Sequence, residues 1–258
     1  MRSLTRRDFL KLGGAALLAA SLPNMDFAQT DSLPPAPWLW RGSAGRHSIA
    51  LTYDDCYSYD RMQIVEALLD EFPEFKVTFF PVGMAILNLQ TKDRDIWKRL
   101  HEKGHEFGYH SWDHEDFATM STQEVLDDYS FWREAMSNAL GFQPTIRFAR
   151  PTFGNFAYSF DALCRKHGLV YTMWSTGWGG PTDIGLRAAW NSRNGDVVLM
   201  HIRKEDCETS RQAYPWLREN GWGVVTLSKL YDDLLLEQNN SEGCDVDGVG
   251  SLTRTCLE

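Results

Sequence analysis

The sequence predicts an α/β protein, a single domain built as a distorted (β/α)7-type barrel. Three observations lead there. Seven short apolar runs rich in β-branched and aromatic residues recur along the chain, at 48–55, 76–82, 106–109, 146–149, 169–174, 197–201 and 223–227. Segments of helical apolar spacing separate them, the pattern of parallel strands joined by right-handed crossovers. Residues able to do chemistry collect just after the strands, where such folds assemble their sites. Seven units fit a barrel one short of the usual eight better than an open sheet.

Residues 1–28 stand apart from this pattern. Thr5-Arg6-Arg7-Asp8-Phe9-Leu10-Lys11 is a twin-arginine pattern, and a weakly apolar run of small residues, 12–21, follows it. That order reads as an export signal for the twin-arginine machinery, placing the mature protein in the periplasm or outside a bacterial cell. The run is shorter than the roughly 20 residues a spanning helix needs, so no stable membrane insertion is expected. Cleavage after Ala20 and after Ala28 both fit. Residues 29–45, with prolines at Pro34, Pro35 and Pro37, read as a linker. Residues 46–240 form the predicted domain, and 241–258 a Gly-containing tail.

Within the domain, helical spacing runs through 59–70, and Gly104 closes a second helix at 93–103. Ser121 and Glu124 make a capping box for a long helix ending before Gly141. Further helices are expected at 159–167, 186–193 and 205–220.

The formal net charge is −9 and becomes more negative once the basic signal is removed, which argues against nucleic acid as a partner. Of five cysteines, Cys244 and Cys256 are the pair best placed for a disulfide, because it would tie down the tail. No CxxC spacing of zinc type exists, so a metal site must draw on histidine and carboxylate.

The first strand ends in two adjacent acids, Asp54 and Asp55. The third ends in His110-Ser111-Trp112-Asp113-His114, the fourth in Arg150, and the sixth in His201. Two histidines at i and i+4 on a helical turn can share a cation, and one carboxylate completes a three-ligand set with room for water.

These residues carry a resemblance. Leu51-Thr52-Tyr53-Asp54-Asp55 is similar to the Thr-Phe-Asp-Asp-Gly motif of the polysaccharide deacetylase family (carbohydrate esterase family 4, the NodB-homology domain). The segment 104–114 resembles its second motif, Arg150-Pro151-Thr152-Phe153-Gly154 its Arg-Pro-Pro-Tyr-Gly, and 198–201 its Leu-x-His. The match runs in order from about 49 to 227. It implies hydrolytic deacetylation of an N- or O-acetylated carbohydrate, with the acetylated glycan as partner. Asp55, His110 and His114 would hold a divalent metal, zinc being the one expected. Asp54 would be the general base for the attacking water, His201 the acid for the leaving group, Phe153 N–H an oxyanion donor, and Arg150 the residue orienting Asp54. Tyr57, Trp112 and Trp178 are the candidates for stacking on sugar rings.

The chain departs from the family at three places. Cys56 stands where Gly is usual, Thr152 and Phe153 replace Pro and Tyr, and the Asp of the family's Asp-Trp motif is missing around 174–178, leaving Asp183 as a candidate. Two rival readings therefore stand beside the first: a hydrolase of small amides or cyclic imides, and a non-catalytic exported carbohydrate-binding protein.

Overall fold

The strand that organises the molecule is the run 48–55, because seven of its eight residues are buried and three other strands pair with it. In the computed structural model, which describes residues 33–242, the elements follow in this order. They are β1 (Trp38–Leu39), β2 (Ser48–Asp55), α1 (Tyr59–Glu71), β3 (Thr78–Pro81), α2 (Gly83–Gln90), α3 (Ile96–Glu102), β4 (Glu106–Phe107) and α4 (Thr122–Leu140). Then come β5 (Phe148–Ala149), α5 (Tyr158–His167), β6 (Val170–Thr172), β7 (Thr176–Gly177), α6 (Thr182–Trp190), β8 (Val197–His201), α7 (Lys204–Glu219), β9 (Gly223–Val224) and α8 (Leu227–Glu242).

Every ladder is parallel. One runs β4-β3-β2-β8-β7, with β9 added at the start of β2, and the other runs β1-β6-β5. A parallel bridge from Tyr109 to Ala149 and an antiparallel one from Arg41 to Asp196 tie the two ladders together. The result is the distorted barrel the alternation predicts.

The interior is filled by β2 and what packs on it. Ile49, Ala50, Leu51, Thr52 and Tyr53 have no exposed surface. Their polar groups are answered inside: Thr52 Oγ1 donates to Val198 O at 2.7 Å, and Tyr53 Oη meets Ser210 Oγ and Tyr214 Oη, each at 2.8 Å. A buried hydroxyl without a partner would cost about 1–3 kcal/mol. On α4 the capping box forms as the sequence predicts, Gly141 takes φ 80°, and the stripe Val125, Tyr129, Trp132 and Met136 faces inward.

Four elements were not foreseen. Trp38–Leu39, within the segment read as linker, pairs in register with Tyr171 and Thr172. The stop signal at Pro81 and Gly83 concealed α2, since Gly83 begins the helix after the strand has ended. β7 is two residues long, too short to carry a periodic signal. α8 directly follows the last strand, and its Leu227 and Leu230 pack into the core with Tyr231 and Leu234 against them. α6 begins at Thr182, four residues ahead of expectation, directly after Pro181. The signal, Cys244 and Cys256 lie outside the described residues, and no described helix is long and apolar enough to cross a membrane.

Candidate active site

Parallel register brings the chemistry together. Asp54 lies opposite Phe80 of β3 and His201 of β8, and Asp55 lies opposite Pro81. Alternation along an extended strand would send two successive side chains to opposite faces. Asp55 leaves extended conformation, with φ 66°, and both acids line one cleft.

The histidine pair is delivered differently from expectation. His110 and His114 bracket an irregular turn, not a helical one, with Ser111 at φ 73° and His114 at φ 67°. Hydrogen bonds hold this turn rigid. Ser111 Oγ accepts from His114 N–H at 2.8 Å, and Gly83 N–H and Met84 N–H donate to the carbonyls of Ser111 and Trp112 at 3.0 and 2.8 Å. From α4, Asp128 Oδ1 accepts both Trp112 N–H (2.7 Å) and Tyr109 Oη–H (2.6 Å).

The ligand-type atoms of Asp55, His110 and His114 all lie within 4.8 Å of one another. Asp55 Oδ1 is 3.2 Å from His114 Nε2 and 3.6 Å from His110 Nε2, yet it is buried and accepts no well-directed hydrogen bond. His110 Nδ1 donates to Arg150 O at 2.9 Å, so Nε2 keeps its lone pair for the cluster. An orphaned carboxylate oxygen and two imidazole nitrogens aimed at one point suit a divalent cation of the zinc type. Burial raises the Asp55 carboxyl, but the two imidazoles outweigh it and hold it far below the usual carboxylate range. Burial likewise lowers His110, and Asp54 and Asp55 overcome that to raise it.

Asp54 is held from the other side. Arg150, fully buried, donates from Nη1 to Asp54 Oδ1 (2.6 Å) and Thr52 Oγ1 (2.7 Å), and from Nη2 to Met173 O (3.1 Å). Its guanidinium sits 4.3 Å over the Phe80 ring. Asp54 Oδ2 is left facing the cluster, 3.8 Å from His110 Nε2.

Across the cleft stands His201, whose proton affinity is lowered, chiefly by burial. The cleft has a volume of about 270 Å³ and is lined by Asp54, Asp55, His110, His114 and His201 with Pro151, Phe153, Gly154, Trp174, Leu199 and Arg203. Phe153 sits at φ 59° with its ring 4.6 Å from that of His114. A larger cavity, about 650 Å³ between α1 and α7, is lined by Arg61, Ile64 and Cys207 among others and holds no comparable constellation.

Three expectations need correction. Trp112 and Trp178 are 1% and 0% exposed, so neither offers a ring face to a sugar. Trp112 is a wedge whose ring fills the space above Gly83, where a Cβ would lie 2.3 Å from Cε3. Asp183 is spent on the exposed surface, paired with Arg187 at 2.7 Å. Tyr57 is 45% exposed and is not among the residues lining the cleft; its hydroxyl is pushed up to about 12 by burial and by Asp55 and Asp113. The reading missed Thr52, Asp128, Trp174 and Asp206. For Asp128 a signal existed: it is an acid on the buried face of an amphipathic helix.

Fold and site together define a parallel α/β barrel bearing a candidate Asp-His-His metal centre flanked by a carboxylate and a histidine. The family model described as polysaccharide deacetylase matches residues 41–172, and the chain belongs to that family. Peptidoglycan-N-acetylglucosamine deacetylase PgdA of Listeria monocytogenes is 28% identical over 195 residues, covering 72% of this chain but only 39% of PgdA. Chitin deacetylase 1 of Saccharomyces cerevisiae is 32% identical over 111 residues, 42% of this chain and 34% of that protein. Among solved structures, a carbohydrate esterase family 4 pseudoenzyme from Bacillus anthracis matches with a TM-score of 0.68 at 22% identity, over 79% of this chain and 71% of that one. Peptidoglycan deacetylase PdaC from Bacillus subtilis matches with a TM-score of 0.65 at 20% identity, over 78% and 96%. At these identities the structural likenesses establish the fold.

Proposed function

We propose that this protein is a metal-dependent hydrolase that removes acetyl groups from an N- or O-acetylated carbohydrate, in the bacterial cell envelope or outside the cell. Since one structural neighbour is a pseudoenzyme, fold alone does not carry activity. The observation that carries it is that an Arg-held carboxylate, a three-ligand cluster and a histidine face one another across a single small cleft.

Asp55, His110 and His114 would hold the divalent metal, zinc by the chemistry of the donors. When bound, it supplies a Lewis acid for the acetyl oxygen and for water. Asp54, with Oδ1 in the grip of Arg150, has Oδ2 free to take the proton of the attacking water. The backbone N–H of Phe153 would donate to the developing oxyanion. His201, opposite Asp54 in register, would deliver a proton to the departing amine or alkoxide. Tyr57, exposed and close enough to Asp55 to feel its charge, would contact the sugar. Export by the twin-arginine machinery fits a glycan substrate outside the cytoplasm.

The test is acetate release from a panel of N- and O-acetylated oligosaccharides, small N-acetyl amides and cyclic imides, with and without chelator. Chelator-sensitive release from the oligosaccharides is expected. Zinc binding without release from any substrate would overturn the enzymatic reading in favour of a binding protein.

A further inference from the structure

The family's acid partner for the strand-end histidine is absent from the segment 174–178, but a buried carboxylate reaches His201 from another element. Asp206 lies in the first turn of α7, and its side chain has no exposed surface. Its Oδ2 accepts the backbone N–H of His201 at 2.9 Å and lies 3.9 Å from the Nδ1 of the same residue. Its Oδ1 accepts Gly180 N–H at 3.3 Å. Among the described residues, no lysine or arginine comes within ion-pair distance of it, and His201 is its one such partner.

The surrounding chain is shaped to this carboxylate. A Cβ on Gly179 would lie 3.4 Å from Asp206 Oδ1, and one on Gly185 would lie 2.3 Å from Trp178 O. α6 therefore packs closely on the Trp178–Gly180 segment, and that segment lies in van der Waals contact with the acid. The segment supplies a backbone donor to Asp206 where the family supplies an acid to the histidine. Trp178 is the buried anchor of this arrangement.

Resting on the deacetylase reading for the reaction itself, we propose that Asp206 is the positioning residue of His201. It clamps the backbone and ring of one residue together, holding Nδ1 as the protonated nitrogen and turning Nε2 into the cleft to serve the leaving group. The present 3.9 Å is ion-pair range; a ring movement of about 1 Å closes it to a hydrogen bond, as apo acid–base sites commonly require. The other charged groups acting on the ring are Asp54 and Asp55 from β2 and Arg203, beyond β8.

The role is separable from a merely structural one through the leaving group. An amide must be protonated as it breaks, whereas 4-nitrophenolate departs unaided. With the zinc-loaded full chain, Asp206→Asn should lower kcat on tetra-N-acetylchitotetraose by about 10- to 100-fold with KM unchanged. It should lower kcat on 4-nitrophenyl acetate less than about threefold, and add no further loss in a His201→Ala background. Equal losses on both substrates, or additive losses in the double variant, would overturn the proposal. The imidazole 15N signals of His201 supply a readout free of turnover. The wild-type protein should show the Nδ1–H tautomer, and Asp206→Asn a mixture of both. A wild-type Nε2–H tautomer overturns the proposal whatever the activity. An Nδ1–H tautomer lost in Asp206→Asn, together with no acetate release by the wild type, would leave the proposal standing and remove the deacetylase reading.

Discussion

Arg150 and Asp54 form an ion pair 2.6 Å long with almost no contact with water, their side chains 0% and 4% exposed. Such a pair is weak evidence for stability, since desolvation offsets much of the attraction, but removing one partner strands the other. Arg150→Met should destabilise the protein by about 3–5 kcal/mol in urea unfolding. Asp54→Asn combined with Arg150→Met should cost less than the sum of the single changes. Additive costs would show that the two side chains do not act as a unit.

The adjacent acids have separate tasks in the proposed mechanism, and metal titration tells them apart. Asp54→Asn should bind zinc within about tenfold of wild type while losing acetate release by two to four orders of magnitude. His110→Ala should lose the zinc itself, read by calorimetry. Equal zinc loss in both variants would refute the division.

Gly83 should make the metal affinity of the candidate Asp-His-His centre depend on a residue outside that cluster. A methyl group there collides with the Trp112 ring, and Trp112 sits between the two histidines in the chain. Gly83→Ala should cost about 1–3 kcal/mol by overpacking and weaken zinc binding about 10- to 100-fold. Gly141→Ala strains the end of α4, where φ is 80°, but its Cβ meets no ring, and it should leave zinc affinity unchanged.

His105 gives the fold an acid-sensitive joint. Burial, then Lys76 and Lys103, push it down from 6.5 to about 4, and its Nδ1 accepts Val77 N–H at 3.3 Å. The unfolded chain therefore takes up this proton first as pH falls. The stabilisation is complete above about pH 6.5 and is lost on descent toward pH 4, a change of about 3 kcal/mol. His105→Gln should flatten the pH dependence of unfolding by that amount in the window from 6.5 to 4. Parallel curves for variant and wild type would exclude it.

Periodicity and strand-end chemistry made most of the barrel and the cluster Asp54, Asp55, His110, His114, Arg150 and His201 legible, because each leaves a local or motif-length trace. The supporting shell left little. Asp206 reaches His201 only because α7 begins directly after β8 and folds its first turn back over the strand end. Trp112 and Trp178 misled because an aromatic ring beside a motif reads alike whether it faces the cleft or wedges the turn from behind. Only packing, seen in the space above Gly83, decides between them.

Among the described residues, the non-glycine positions with positive φ are Asp55, Cys56, Ser111, His114 and Phe153. Four of them are cluster residues or their chain neighbours, and the fifth lines the same cleft. Each costs of order 1 kcal/mol relative to an unstrained conformation. Cys56 takes at φ 62° a conformation that a glycine would adopt freely, with its thiol buried and donating to Tyr53 O. For anyone engineering a hardier protein, this maps where stability and chemistry compete. Glycine at 56 is a route to relieving strain without deleting a ligand, whereas glycine at 111 would also delete the hydroxyl that accepts His114 N–H. At 55 and 114 the same relief would remove a candidate metal ligand, so the most strained backbone among the described residues is also the part least free to change.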